Sequence, residues 1–428
     1  MIRKILIAIL LIVSVSISAQ KTNSSPYSFF GIGDKFNAKT VEQSSMGGIG
    51  VAYSHYKYLN FSNPAAYADL RYTTYTLGLL SNDLTIKSNS SKQSSTSTSL
   101  SYLAIGFPIG SKAGFSFGLQ PVSSVGYSLS NSVLNADGDL SEITIFSGNG
   151  GVNRIYGSFG IKVLKNLSLG IEAEYNFGNI ENSVINQIRD ITLATQYKEV
   201  SVVDGTAIKL GAQYKKELKD KITLNLGATI KLGNDLKVEG DDYLYSLTRS
   251  ITGVEFPRDT LSSSKIDGKF EMPVKTTLGI GIGKLDKWFA SLEYENQDAI
   301  KTSGFLNSTN AAYSYKKSNR ISLGGFYLPK INSISSYWDR VTYRAGLRFE
   351  KTGLAISGTG NNSNFTEIND FGISFGLGLP LKQMNNLNLG FEYGKRGTTE
   401  NNLIQENYLN FRLSLSLTDL WFIKRKID

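Results

Sequence analysis

YLNFRLSLSLT, residues 408–418, decides the fold. Leu409, Phe411, Leu413, Leu415 and Leu417 share one parity, and Tyr408, Asn410, Arg412, Ser414 and Ser416 share the other. Side chains of a strand alternate between its two faces, so this stretch has one oily face and one polar face. NLSLGIEAEYNF (166–177) and KITLNLGATIKL (221–232) repeat the pattern.

From Arg71 onward the alternation marks fourteen strands: 71–81, 98–108, 112–123, 151–163, 166–177, 203–216, 221–236, 269–283, 286–297, 318–328, 340–351, 368–380, 386–396 and 406–419. Gaps after even-numbered strands are short (109–111, 164–165, 217–220, 284–285, 329–339, 381–385). Those after odd-numbered strands are longer (82–97, 124–150, 178–202, 237–268, 298–317, 352–367, 397–405). A soluble sandwich has no reason to sort its turns by parity, whereas a bacterial membrane barrel puts short turns on the periplasmic side and long loops outside. Hydrocarbon tolerates no open sheet edge, so an even set of antiparallel strands must close on itself. Trp288, Tyr294, Tyr327, Tyr343 and Tyr393 suit the interfacial aromatic girdles. The expected fold is all-β, a 14-stranded antiparallel transmembrane β-barrel in the cell outer membrane, with outer-membrane lipid as its surroundings.

Composition agrees. Hydrophobic residues make up 41%, Gly 42 and Tyr 23 are plentiful, and Pro is only 8, which suits many strands and turns. MIRKILIAILLIVSVSISA, residues 1–19, has the basic start, apolar run and small end of a secretory signal peptide. There is no cysteine for disulfides or thiolate metal sites. The formal net charge of +9 is spread singly along the chain, which argues against a nucleic-acid partner. Lys424-Arg425-Lys426 is the basic cluster, read as a solvated tail or a phospholipid head-group contact.

Residues 20–70 do not alternate. A barrel of fourteen strands lies between those that side chains fill and those that leave an aqueous channel, and this segment is available to occupy the bore. Gly47, Gly48 and Gly50 allow a tight bend against the wall. Asn63 is a good N-cap and Pro64 fits the first helical position, so Asn63-Pro64-Ala65-Ala66 should open a short helix. The expected organisation is signal peptide 1–19, hatch 20–70 inside the lumen, and barrel 71–428.

MGGIGVAY (46–53) followed by NPAA (63–66), ahead of a fourteen-strand pattern, resembles the N-terminal hatch of the FadL-type long-chain fatty acid transporters. SSPYSFFGIGD (24–34) and the ending WFIKRKID (421–428) look like features of FadL-like barrels from Bacteroidota, a group that includes barrels similar to the PorV-type subunit of a secretion machine. The resemblance implies two readings, of which it favours the first and leaves the second as the alternative. One is passive uptake of a hydrophobic small molecule, with Gly47, Gly48, Gly50, Asn63, Pro64 and Ala65 in the hatch and gate and Phe29 and Phe30 lining a pocket. The other is a non-conducting accessory barrel attached to a larger outer-membrane complex for protein secretion or barrel assembly.

Chemistry finds little support. His55 has no cysteine and no second histidine beside it, so a packed side chain is the simpler reading, and no metal, cofactor or catalytic set is expected. GIGIGK (279–284) lacks the Lys-Ser/Thr ending of a phosphate loop, and its small residues read as packing against a plug. Glu172 with Glu174, and Glu293 with Glu295, share inward faces with Arg154, Lys162, Lys231, Lys275, Arg344, Arg348, Glu350, Glu392 and Arg412, the pattern of an ion-paired wall. SNSSKQSSTSTSLS (88–101) reads as a polar outer loop running into the second strand.

Overall fold

The computed structural model describes residues 23–250, 254–304, 312–358, 360 and 364–421. The signal peptide 1–19 and the basic cluster 424–426 lie outside the described residues. Alternation does what the sequence requires of it: fourteen antiparallel strands form one ring, four of them interrupted once by two or three residues. In chain order they are β1 Thr73–Lys87, β2 Lys92–Ile109, β3 Ala113–Leu134, β4 Leu140–Lys162, β5 Leu167–Ile188, β6 Ala194–Glu217, β7 Ile222–Lys231 with Asn234–Arg249, and β8 Glu255–Met272 with Lys275–Lys284. There follow β9 Trp288–Gln297 with Lys301–Ser303, β10 Tyr313–Tyr315 with Ser318–Tyr327, β11 Thr342–Ile356, β12 Thr366–Pro380, β13 Asn386–Gly397 and β14 Gln405–Asp419. β14 returns to pair with β1, from Asp419 opposite Thr73 to Gln405 opposite Lys87, and the cylinder is closed.

The oily parity faces out. Leu292, Leu323, Leu278, Ile171 and Phe375 are exposed around the cylinder, as a lipid-facing band demands. At the short-turn end Trp288 lies opposite Tyr327, and Tyr327 opposite Tyr343, so three aromatics run side by side where an interfacial girdle belongs. The fold, its outward apolar face and its strand number make this an outer-membrane barrel.

The excursions at the opposite end correct the sequence reading. The stretches 82–97, 124–150 and 178–202 are not loops but continuations of the strands, joined by short turns at 88–91, 135–139 and 189–193, and 237–249 and 255–268 likewise continue β7 and β8. Thus SNSSKQSSTSTSLS is mostly the start of β2. Beyond the hydrocarbon the outer face need not be oily, so the alternation that betrays a strand in lipid fades while backbone pairing continues. β3 to β6 run 22 to 24 residues. At about 3.3 Å per residue and a tilt near 40° they stand roughly 55 Å along the barrel axis, about twice the hydrocarbon thickness. One side of the cylinder is therefore a tall wall.

The leading segment lies within the ring. It holds a 3-10 turn Pro26–Phe29, a two-residue bridge Asp34–Lys35, a one-turn helix Val41–Ser44 and a 3-10 helix Pro64–Asp69. Thr40 and Gln43 cap the one-turn helix reciprocally, each side chain bonding the other's backbone. Its polar groups reach wall strands on all sides: Gln213 of β6 donates to the Val51 carbonyl, Gly47 N donates to Ser374 of β12, and Asn388 of β13 donates to Glu42. The segment is thus hydrogen-bonded to widely separated strands of the ring.

Candidate functional site: the filled bore and a gap in its wall

The bend at residues 47–50 is built on glycine. Gly47 and Gly48 have φ of +70° and +81°, the left-handed region that other residues enter at a cost. Gly50 differs from the expectation, since its φ is not in that region; it is needed for close approach to the side chains of Gln43 and Ser62. Glu293 on β9 receives this bend. Its Oε2 accepts the N–H groups of Gly50 and Val51, each at 2.8 Å, and its Oε1 accepts Lys39 Nζ at 3.3 Å. Burial lowers the Lys39 ammonium to about 8, partly opposed by the Glu293 charge.

The second anchor is the helix 64–69. Asn63 Oδ1 accepts Ala65 N–H as an N-cap, with Pro64 at the first helical position, while Asn63 Nδ2 donates to the carbonyls of Val51 and Ala212. Ala65 is buried against Gly170 of β5, where a Cβ would collide with its backbone. At the end of the turn Asp69 pairs with Lys215 and with Lys162 at 3.1 Å. Burial alone would raise this carboxyl, but the two ammonium groups and Ser54 hold it well below its ordinary range.

Inside, cations and carboxylates of neighbouring strands are paired around the wall. Arg154 of β4 donates to Gln120 of β3 and pairs with Glu172 and Glu174 of β5, which also hold Lys209 of β6 and Lys231 of β7. Lys275 of β8 and Arg320 of β10 share Glu295 of β9 at 2.8 and 3.0 Å. Arg348 of β11 meets Asp370 of β12 and Glu392 of β13, and Arg412 of β14 closes on Glu392 at 2.6 Å. Buried charges persist only when so matched. Near the top of the segment, Arg396 of β13 clamps Asp34 and Glu406, and the Glu406 carboxylate accepts Ser25 Oγ.

His55 is a packed side chain. Its Nδ1 accepts the Lys57 N–H at 3.2 Å, its Nε2 faces Asp286 at 3.5 Å, and it stacks on Tyr56. Burial lowers the imidazole to about 4. Among the described residues no group of three or more His, Cys, Asp or Glu is placed to hold a metal ion.

Two cavities stand out among the described residues. The larger, about 1610 Å³, lies above the segment between it and the tall wall, and is lined by Ser97, Ser101, Tyr127, Arg396, Tyr408 and Arg412 among others. The smaller, about 290 Å³, lies beside the segment and includes Phe30 with Arg154, Lys231 and Arg320. Phe29 lines neither; it packs edge-on against Tyr127 and Phe146. Both spaces mix polar and apolar walls.

The feature that sequence reasoning missed lies in the wall. β2 and β3 pair only from Leu103 opposite Leu119 down to Ile109 opposite Ala113. Above that, of the barrel strands β2 pairs with β1 and β3 with β4, not with each other, and the larger cavity opens between their edges. A bulge at Pro121–Ser123, opposite Val152 and Asn153, shifts the register of β3, and the leading segment takes its freed edge: Asp34 and Lys35 lie opposite Ser124 and Ser123, and Phe36 N–H donates to the Val122 carbonyl at 2.8 Å. The sequence held a signal. Proline inside a strand belongs to an edge or a bulge, and Pro121 sits in one of the alternating stretches, with Gly150-Gly151 on the facing strand at φ of +113° and +150°.

Comparisons with known proteins extend the reading. A family model described as BamG matches residues 1–428. Among solved structures, the toluene transporter TodX of P. putida superposes with a TM-score of 0.61 at 16% identity, over 90% of this chain and 99% of that one. A FadL homologue of Pseudomonas aeruginosa gives 0.58 at 14% identity, over 91% and 99%. The CymD monoaromatic hydrocarbon channel gives 0.55 at 15% identity, over 90% and 98%. These likenesses establish a FadL-type barrel as the fold. No curated protein sequence matches the chain.

Proposed function

The chain belongs to the BamG family, and we propose from that premise that it is a non-conducting accessory barrel, a docking subunit of a larger outer-membrane machine for protein secretion or barrel assembly. In this reading residues 20–70 form a fixed hatch, and Gly47, Gly48, Gly50, Asn63, Pro64 and Ala65 are its fastening points. The observation that supports it is the ladder of paired charges around the inner wall, tied to the hatch through Glu293, Lys39, Asp69 and Lys215. A hydrophobic solute would have to displace buried ion pairs, and breaking one costs about 3–5 kcal/mol. A gate meant to move would not be fastened by several of them.

One observation favours a second reading, passive passage of a hydrophobic small molecule. The gap between β2 and β3 offers a side door from the larger cavity toward the membrane. The two readings part in a single preparation. Extracted from its own membrane in mild detergent, an accessory barrel comes with a large outer-membrane partner in equal amount, and vesicles containing it take up toluene no faster than empty ones. A monomer with bound lipid and faster uptake would replace the first reading by the second.

A further inference from the structure

The gap is more than an absence of pairing. Backbone groups of one strand edge point out every second residue, and on β3 the free side is fixed by observed bonds: the Val122 carbonyl accepts Phe36 N–H, and Gly126 N–H donates to Ser28 Oγ. The same parity carries on through Ser128, Ser130 and Ser132, whose N–H and C=O groups face the gap. Among the described residues no strand pairs with 127–134 on this side, since the pairing of that stretch is with β4 alone.

A free edge is a template for another chain, and proteins blunt it with proline, charge or bulges unless it is used. This molecule contains its own contrast. Among the described residues no strand pairs with the other side of β8 at Glu255–Asp267 either, and that stretch carries Pro257, Arg258, Asp259, Lys265 and two register shifts. The β3 edge, VGYSLSNSVL at 125–134, has no charge and no proline. The facing edge of β2, QSSTSTSLS at 93–101, is uncharged as well. The undefended stretch continues directly from the interface where Asp34 and Lys35 already pair with β3 as a short antiparallel strand. The same edge has thus been shown to accept a strand.

We propose that the edge of β3 from Ser128 to Ser132 binds an extended, uncharged segment of a partner protein, which adds as a strand in the gap beside β2 above the Asp34–Lys35 bridge. Main-chain hydrogen bonds supply the affinity, and the serine-rich walls of the cavity admit small polar side chains. The proposal rests on the accessory reading and names where on the barrel the partner is held.

The test uses the full chain in its native outer membrane, with the photo-cross-linker p-benzoylphenylalanine at Ser128, Ser130 or Ser132 in turn, and at Thr260 on the defended edge as comparison. The expected result is one partner protein captured from the three β3 sites and not from Thr260. Its cross-linked residues, mapped by mass spectrometry, step by two along one short segment, the register of a paired strand. Capture of lipid alone, of a second copy of this chain, or of scattered residues without that step would overturn the proposal. Ser130→Pro deletes one edge N–H without touching a bond to β4, so the barrel still shows heat-modifiable mobility while capture from Ser128 falls at least tenfold. If the partner still purifies with the chain but shows no stepped register, the edge proposal fails and the accessory reading stands; if no partner purifies, both fail.

Discussion

Glu293 on β9 accepts the backbone N–H of Gly50 at 2.8 Å, across 243 positions of sequence. The same oxygen takes the Val51 N–H, and the other takes Lys39, so one buried carboxylate holds both the bend and the cation of the leading segment. Glu293→Ala leaves two amides without an acceptor and the Lys39 ammonium without its counter-charge, with only Ser62 Oγ to donate to, in a place water does not readily reach. The seat of the segment should lose about 3–5 kcal/mol, the cost of breaking a buried pair. Limited proteolysis in mild detergent should then cut between residues 44 and 62, while the barrel keeps its heat-modifiable mobility. Resistance equal to that of the unaltered protein would mean that the segment is held by other contacts.

Gly47 and Gly48 share the left-handed backbone but not their surroundings. A Cβ on Gly47 would lie 2.7 Å from the Leu347 carbonyl oxygen and 2.9 Å from its nitrogen, both backbone atoms of the wall, whereas one on Gly48 meets nothing within 4 Å. Gly48→Ala should therefore cost only the conformational term, about 1 kcal/mol. Gly47→Ala should cost that plus a displacement of the bend from β11. Urea midpoints for release of the segment should fall in the order unaltered, Gly48→Ala, Gly47→Ala; equal midpoints for the two variants would show that the bend can shift without loss.

What could be read in advance followed the reach of each physical signal. Leu409 to Leu417 announce a strand because lipid imposes its alternation, and the same rule located every strand that crosses the membrane. The upper parts of β1 to β8 escaped because Ser128, Thr195 or Asp241 stands where no solvent asymmetry acts, and pairing alone leaves little trace in one chain. Gly47 and Asn63 were legible because bend and cap need particular residues. Glu293 was legible as an inward carboxylate, but not as the acceptor for Gly50, since nothing in one sequence links positions so far apart. Pro121 was present as a clue and stood against the regular strand drawn through it.

The boundary between lipid and exterior along the tall wall can be tested by charge. Leu323 on β10 and Leu261 on β8 are about equally exposed, at 52% and 57%. Only Leu323 lies in the band that should meet hydrocarbon. Leu323→Arg should destabilise the barrel by about 2–4 kcal/mol in lipid vesicles, while Leu261→Arg should change it by less than about 1 kcal/mol. Reversible folding in vesicles, followed by gel mobility against urea, measures both. A large loss at Leu261 would put the upper strand inside the membrane and remove the tall extracellular wall.

His55 gives the seat of the segment a dependence on pH. Burial holds its imidazole at about 4, against about 6.5 when the chain is unfolded. Asp286 and the Lys57 N–H face it directly, Tyr56 stacks on it while also donating to Asp286, Tyr53 and Tyr58 pack around it, and the Lys57 and Lys215 charges lie near. Between those two values the unfolded segment takes up a proton that the seated one refuses, so stability is full above about pH 6.5 and falls as the pH drops toward 4. The loss by pH 4 is on the order of 3 kcal/mol. Asp286, held below its ordinary value mainly through His55 and Tyr56 against the opposing effect of burial, adds a loss of the same sign at still lower pH. Urea midpoints for release of the segment should thus decline between pH 6.5 and 4.5 in the unaltered protein. In His55→Gln, which cannot take up the proton, the midpoint should hold level over that range, from a lower starting value because the contact with Asp286 is weakened. Parallel declines in the two proteins would assign the acid sensitivity to the carboxylates of the wall instead of to this histidine.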